Sequence, residues 1–172
     1  MEGGAVIAKD SDVDQRVFLS KAFGHKGDDH FRIGINGKNS EFHAAMGLCN
    51  LPRVNESIKR RKMVFDVYEY FLNRLPIIWR KPDAQLTYNY AYFPILLDNY
   101  DTMIGLKNHL ESFGIFPRRY FYPALNTLPY FKGESCPVAE NVAQRLLCLP
   151  LYPDLEIEDA SYIGTSIRNY FE

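Results

Sequence analysis

The chain has 172 residues with 20 basic and 21 acidic side chains, a net charge of −1, which implies no nucleic acid or other polyanion as partner. Its 47% hydrophobic and 15% aromatic content excludes disorder, and a single domain of this size buries roughly two-thirds of its unfolded surface. No apolar run approaches the roughly 20 residues of a membrane helix. Cys49, Cys136 and Cys148 are odd in number, lack metal-ligand spacing and follow no signal-peptide pattern, which predicts a reducing cytoplasm.

Taken in order, Ala5 to Ala8 is a short apolar run that predicts a strand. Asp10-Ser-Asp12-Val-Asp14 has the look of a calcium loop, but that loop needs Gly at its sixth position and Glu at its twelfth. Gln15 and Lys21 stand there. Acidic capping of a helix is the better reading, with Val13, Val17 and Phe18 inward and an end near Gly24. His25-Lys-Gly-Asp-Asp-His30 holds two histidines and two aspartates. A metal site and a solvated turn both fit it, and with no second ligand cluster nearby in sequence the turn is favoured.

Phe31 to Leu48 joins two kinds of chain. Up to Asn39 it is loop, with Gly34 and Gly37 beside Asn36 and Asn39. Beyond it the pattern is helical, with Asn39 as cap, Glu41 in the first turn, and Phe42, Ala45, Met46 and Cys49 on one face. Such a loop can be held rigidly near a ligand or partner; a plain capped surface turn is the competing reading. Pro52 opens the next helix, and Val54, Ile58, Arg61, Phe65, Tyr68 and Leu72 recur at helical spacing until Pro76 stops it. Its length is about 22 residues, on the order of 33 Å, suited to linking two parts of a larger protein. The basic run Lys59 to Lys62 fits phosphate binding or one solvated side of the helix, and the solvated side is the default reading.

From there the pattern is a small α+β unit. Tyr88 to Leu97 alternates, with Ala91, Phe93, Ile95 and Leu97 on one face and Tyr88, Tyr90 and Tyr92 on the other, and Pro94 places this strand at an edge or bulge. Asp101 caps a helix carrying Ile104, Leu110 and Phe113 that ends at Gly114. Ile115-Phe116 begins a second strand, Pro137 to Leu146 is a helix, and Leu147 to Leu149 a short strand. Glu156 to Tyr170 is a closing helix with Ile157, Ala160, Ile163 and Ile167 inward. The expected arrangement is a small sheet with helices over one face.

There is no G-x-G-x-x-G, P-loop or H-E-x-x-H in the chain, and no nucleophile with a placed base. What stands out is Gly34-Ile-Asn-Gly-Lys-Asn-Ser-Glu-Phe-His-Ala-Ala-Met-Gly-Leu48. It resembles the G-x-N-x-[RK]-x-S-E-x-x-A-A-x-G-L signature of the DegT/StrS family, pyridoxal-phosphate-dependent aminotransferases acting on nucleotide-linked keto sugars. Two more pieces match in order: Glu2-Gly-Gly4, like the E-G-G strand after the family's cofactor-binding lysine, and Pro117 to Phe131 followed by Cys136 to Leu155. These last two resemble its R-x-Y-x-P and A-E-x-x-A-x-x-x-L-x-L-P-x-Y-P segments.

The resemblance implies the C-terminal part of a fold-type-I transferase: 1–50 a remnant of the large cofactor-binding domain, 51–75 a linking helix, 76–172 a small α+β domain. It implies no catalytic residue here, because the family's lysine precedes the E-G-G strand, and hence a fragment inactive alone. It implies homodimers in the parent enzyme, with Asn36, and Lys38 where the family carries Arg or Lys, reaching the pyridoxal phosphate of the neighbouring subunit. An amide N–H and an ammonium suit phosphate oxygens. It places Arg118, Arg119, Tyr120 and Tyr122 against substrate, where arginine grips phosphate or carboxylate and tyrosine hydrogen-bonds a sugar. An aromatic core with outward arginines is the alternative for that cluster. Many family members carry a histidine soon after the Y-x-P step; this chain has Leu125-Asn126. The implied reaction moves an amino group from an amino acid, typically glutamate, to a nucleotide-linked keto-deoxy sugar in amino-sugar and cell-surface polysaccharide synthesis. A non-catalytic interaction module derived from the same fold is the second hypothesis.

Overall fold

The computed structural model describes residues 4–131 and 133–172, so Glu2 and Gly3 of the E-G-G stretch lie outside the described residues. The chain divides into two compact units, one ending at Val54 and the other Asn55–Glu172. Each is treated by itself.

In the first unit, helix α1 (Ser11–Lys21) is capped by the Asp10 carboxylate, which accepts from the Asp12 and Val13 amides, both at 2.9 Å. This satisfies donors that a helix start leaves over. Strands β1 (His25–Lys26) and β2 (Asp29–His30) form a two-residue-loop hairpin where the sequence predicts an open turn. Helix α2 (Glu41–Asn50) is capped by Ser40 rather than Asn39. The Ser40 hydroxyl lies three residues before the His43 amide it accepts from, and Asn39 is one position too early.

Two expectations fail here. Residues 5–8 are not a strand, because a strand needs a ladder partner and among the described residues of the unit none supplies one. On α1 the inward residue is Leu19, while Val13 and Phe18 are exposed. Among the described residues Leu19 is the unit's only buried hydrophobic side chain, and Ile7, Ile33 and Phe42 are 91%, 95% and 77% exposed. The periodicity of α1 and α2 is real, but inside this unit it has nothing to pack on.

The second unit has a full core. The first unit closes with a 3₁₀ turn at Leu51–Arg53, with Pro52 in its first turn, and the chain continues as α3 (Val54–Leu72). Val64, Phe65, Tyr68 and Leu72 are its buried stripe. Strands β3 (Ile78–Trp79), β4 (Phe93–Leu96) and β5 (Leu146–Leu149) form an antiparallel sheet in the order β3-β4-β5. Helices α4 (Tyr100–Ser112), α5 (Pro137–Arg145) and α6 (Ile157–Phe171) complete the unit. Phe93, Ile95 and Leu97, all essentially inaccessible, share one cluster with Met103, Leu106 and Leu110 of α4 and Ala160, Ile163 and Ile167 of α6. This is the helix-covered sheet the alternation predicts.

Its details differ from the sequence reading. Pro94 sits in the central strand, not at an edge. Cys148, its partner across to β5, turns its own N–H and C=O away to Arg118, at 2.7 and 3.0 Å. Pro94 and Cys148 are therefore a non-hydrogen-bonded pair. The nitrogen of Pro94 faces the other side, where β3 has already ended at Trp79, so no ladder bond is lost. The strand is also shorter than its alternation. Tyr90 adopts φ 49°, the Arg61 guanidinium takes the Asn89 carbonyl at 2.7 and 3.0 Å, and the Tyr88 and Tyr90 rings fold edge-on against Phe65. Asn99, not Asp101, caps α4 through the Thr102 amide at 2.8 Å. Ile115 is buried, but residues 115–116 form no strand; the pairing starts with the single bridge from Arg118 to Cys148.

Tyr68 ties α3 to the chain after β5. It is fully buried and its hydroxyl donates to the Pro150 carbonyl at 2.7 Å. Burial, and secondarily Tyr152, pushes this phenol up, so it stays a neutral donor. Tyr68→Phe leaves that carbonyl unsatisfied and should cost about 1–2 kcal/mol in urea unfolding of the second unit; an unchanged midpoint would deny the bond its role. Hydrogen exchange should separate the units as well: fast at 4–50, slow in β4 and α6. Uniform protection would contradict this.

Candidate functional site

The loop of residues 32–39 is laid across the end of α1 by backbone bonds. The Phe23 amide donates to the Ile35 carbonyl at 3.1 Å and the Gly37 amide to the Lys21 carbonyl at 2.8 Å, while the Ile35 amide takes the Ser20 carbonyl at 2.7 Å. The loop thus supplies donors to the carbonyls that the helix end leaves over. Gly24 and Gly34 make the approach possible: a Cβ on Gly24 (φ +81°) would strike the Arg32 backbone, and one on Gly34 the backbone of Phe23 and Gly24.

The Ala22–Asn36 bridge lies between those outer bonds, so Asn36 is a narrow-pair residue whose own N–H and C=O turn outward. Its side chain is exposed. The amides of Ile35 and Gly37 are consumed by α1; the group the geometry presents is Asn36 itself, by side chain and backbone together. Lys38 places its ammonium 5.0 Å from the Phe23 ring centroid, a cation–π contact that holds it beside the loop. An outward amide, an outward backbone N–H and an ammonium two residues on fit a phosphate group.

The second cluster runs from Arg118 to Pro123. Arg118 is fixed by its main chain, through the bridge to Cys148 on the outer edge of β5, and its side chain is exposed. Arg119 is different. Its guanidinium carbon lies 3.5 Å from the Tyr122 ring centroid and 5.6 Å from that of Tyr100, Nη2 donates to the Gln144 carbonyl at 3.2 Å, and Nε is buried with no protein partner. It is clamped between aromatic faces and the end of α5, where a helix favours a cation. Of the two arginines grouped by sequence, Arg118 presents an exposed side chain, while the half-buried Arg119 is held by Tyr122, Tyr100 and the Gln144 carbonyl. Tyr120 is half-buried, stacked on Phe121 and edge-on to Tyr92. The Tyr122 face is covered by Arg119. Burial pushes the Cys148 thiol up, only partly offset by the Tyr120 amide, so this buried cysteine is no nucleophile.

Sequence reasoning misses one knot beside this loop. The Asn126 amide donates to Glu140 Oε1 at 2.6 Å and to the Glu134 carbonyl at 3.2 Å, and the Cys136 amide donates to the same Glu140 oxygen at 2.8 Å. Glu140 therefore caps α5 and holds the Asn126 turn. Pro137 carries the helix-start signal; nothing in the sequence announces the Asn126 contact, made across 14 residues. Among the described residues, no group of three or more His, Cys, Asp and Glu side chains is placed to hold a metal ion, and no helix is long and apolar enough to cross a membrane.

Residues 1–168 match the DegT/DnrJ/EryC1/StrS aminotransferase family. The chain is 37% identical over 169 residues to an Escherichia coli dTDP-4-amino-4,6-dideoxy-D-glucose transaminase, covering 91% of this chain and 45% of that protein. It is 30% identical to the GDP-perosamine synthase of Escherichia coli O157:H7, over 99% of this chain and 48% of that one. The solved structure of DesI in the presence of its TDP-sugar product superposes with a TM-score of 0.83 at 26% identity, over 95% of this chain and 44% of that one. The chain spans about half the length of the curated relatives it matches.

The Asn126, Cys136 and Ser135 donors hold the Glu140 carboxyl below the usual carboxylate range. A depressed folded value means that the stabilisation is present above the unfolded value, about 4.3, and is lost as pH falls through the folded one. NMR of the Asn126 side-chain amide and the Cys136 N–H should therefore show the knot opening only under acid, below the ordinary glutamate range. In Glu140→Gln, which keeps an acceptor but cannot titrate, the same signals should be flat with pH; a persisting acid transition would assign it elsewhere.

Proposed function

Because the chain belongs to the DegT/DnrJ/EryC1/StrS aminotransferase family, we propose that it forms the C-terminal half of a pyridoxal-phosphate-dependent aminotransferase. The reaction moves an amino group from an amino acid, with glutamate the proposed donor, to a nucleotide-linked keto-deoxy sugar. The observation that carries the reading is the match over residues 1–168 together with the outward Asn36 at the centre of its signature. The names of the relatives, a dTDP-aminosugar transaminase and a GDP-perosamine synthase, support a nucleotide-linked sugar as substrate.

When bound, pyridoxal phosphate supplies the electron sink that this transfer needs. The residues of this chain would do the holding. Asn36 donates its side-chain amide to a phosphate oxygen of the neighbouring subunit's cofactor in a homodimer, and Lys38 adds positive charge there. Arg118 binds the sugar-nucleotide diphosphate, and the hydroxyls of Tyr120 and Tyr122 bond sugar or phosphate oxygens. Arg119 holds Tyr122 in place rather than touching substrate. Residues up to about Asn50 are the chain's share of the large cofactor-binding domain, a reading supported by the exposed apolar side chains of α1 and α2.

The intact enzyme should convert a dTDP- or GDP-linked keto-deoxy sugar with glutamate to the corresponding amino sugar, read by mass. Loss of one hydrogen bond to a charged group costs about 1.5–3 kcal/mol, so Asn36→Ala should weaken pyridoxal phosphate retention roughly 10- to 100-fold. The readout is cofactor absorbance remaining after dialysis, independent of turnover. Full retention in that variant would remove Asn36 from the phosphate site.

A further inference from the structure

The hairpin β1–β2 belongs to none of the roles above, and its two histidines are placed more specifically than the spacing H-x₄-H announces. The register sets His25 opposite His30, with Lys26 opposite Asp29. Gly27, at φ +58°, sits at the first of the two loop positions, where a hairpin of this length wants a positive φ. The two imidazoles stack with centroids 5.4 Å apart and planes inclined by 26°.

Their hydrogen bonds decide their chemistry. His25 Nδ1 meets the Gly27 carbonyl at 2.8 Å and His30 Nδ1 meets the Asp28 carbonyl at 3.3 Å. A carbonyl can only accept, so in each neutral ring the proton is on Nδ1 and the lone pair is on Nε2. This is the arrangement of a metal-ligating histidine, whose second nitrogen donates to a backbone carbonyl that fixes tautomer and ring. Here it occurs twice, on facing positions of one turn. The neighbouring Asp28 and Asp29 make the turn favourable for a cation, against the single Lys26.

We propose that His25 and His30 form a two-imidazole site for a zinc-class divalent ion, with water completing the coordination. Imidazole selects zinc, nickel or copper over magnesium and calcium, which take oxygen. Two Zn–N bonds of about 2.0–2.1 Å require the two Nε2 atoms to lie within about 4 Å of each other. Stacked rings do not yet converge on one ion, so binding requires His30 to turn towards His25; its ring is exposed and its bond to Asp28, at 3.3 Å, is the longer of the two. With two protein ligands the site is open and exchangeable, unlike a closed structural zinc centre.

The test is calorimetric titration of zinc chloride into the full chain with its cysteines alkylated, at about pH 7.5 where imidazole is neutral. One equivalent should bind. His25→Ala and His30→Ala should each weaken it at least about tenfold, while His43→Ala leaves it unchanged. On the unaltered protein, ¹⁵N NMR of the imidazoles should report Nδ1–H rings before zinc and a displaced Nε2 resonance in both after it. Absence of binding, binding that survives both variants, or Nε2 resonances of His25 and His30 that stay put on zinc addition would each overturn the site.

Discussion

Backbone carbonyls that secondary structure leaves over must find donors, and in this chain the supply of those donors sets where the irregular segments go. The end of α1 receives the Ile35 and Gly37 amides, and that fixes the loop from which Asn36 projects. Pro150, past the last strand, receives the Tyr68 hydroxyl from inside the core. Leu97, past the central strand, receives the Arg145 guanidinium at 2.8 Å, and Phe71 near the end of α3 receives Arg168 at 3.2 Å. The clamp on Arg119 ends on the Gln144 carbonyl in the last turn of α5. At the α1 end the donors are backbone amides; in the other four cases a polar side chain ties two separate elements, and its removal leaves a carbonyl without that partner.

The two units meet the demand for burial differently. Asn55–Glu172 buries a continuous cluster from α3, the sheet, α4 and α6 around Phe93, Ile95 and Leu97. The unit ending at Val54 keeps its backbone in order through hydrogen bonds and two close glycine approaches while exposing most of its large apolar side chains. An exposed apolar surface of that extent marks an interaction surface. Order without a core places the Asn36 loop on a scaffold defined by main-chain bonds rather than by packing.

Much of the second unit was legible. The stripe Phe65, Tyr68, Leu72 on α3, the inward set Phe93, Ile95, Leu97, and Ala160, Ile163, Ile167 on α6 all follow from periodicity, because burial of one face is what the period encodes. The caps shifted by one or two residues, to Ser40 and Asn99, because several short polar side chains stood near each helix start and only chain geometry chooses among them. The Tyr88–Tyr92 alternation misled because an aromatic alternation is equally served by rings folding onto Phe65 once Arg61 takes the Asn89 carbonyl.

By itself the sequence determined the helix-covered sheet, the residues of its core, and the family signature around Asn36, since hydrophobic period, proline and glycine placement, and ordered motifs are properties of neighbouring residues. Only the tertiary structure gave two adjacent arginines different surroundings. Arg118 and Arg119 are indistinguishable as letters, but one is paired by its main chain to Cys148 and the other is clamped by Tyr100, Tyr122 and Gln144. It decided, too, that Pro94 lies in the middle of a sheet, because a missing N–H costs nothing where the neighbouring strand has already ended. Those outcomes depend on groups brought together from distant parts of the chain, and no local pattern carries them.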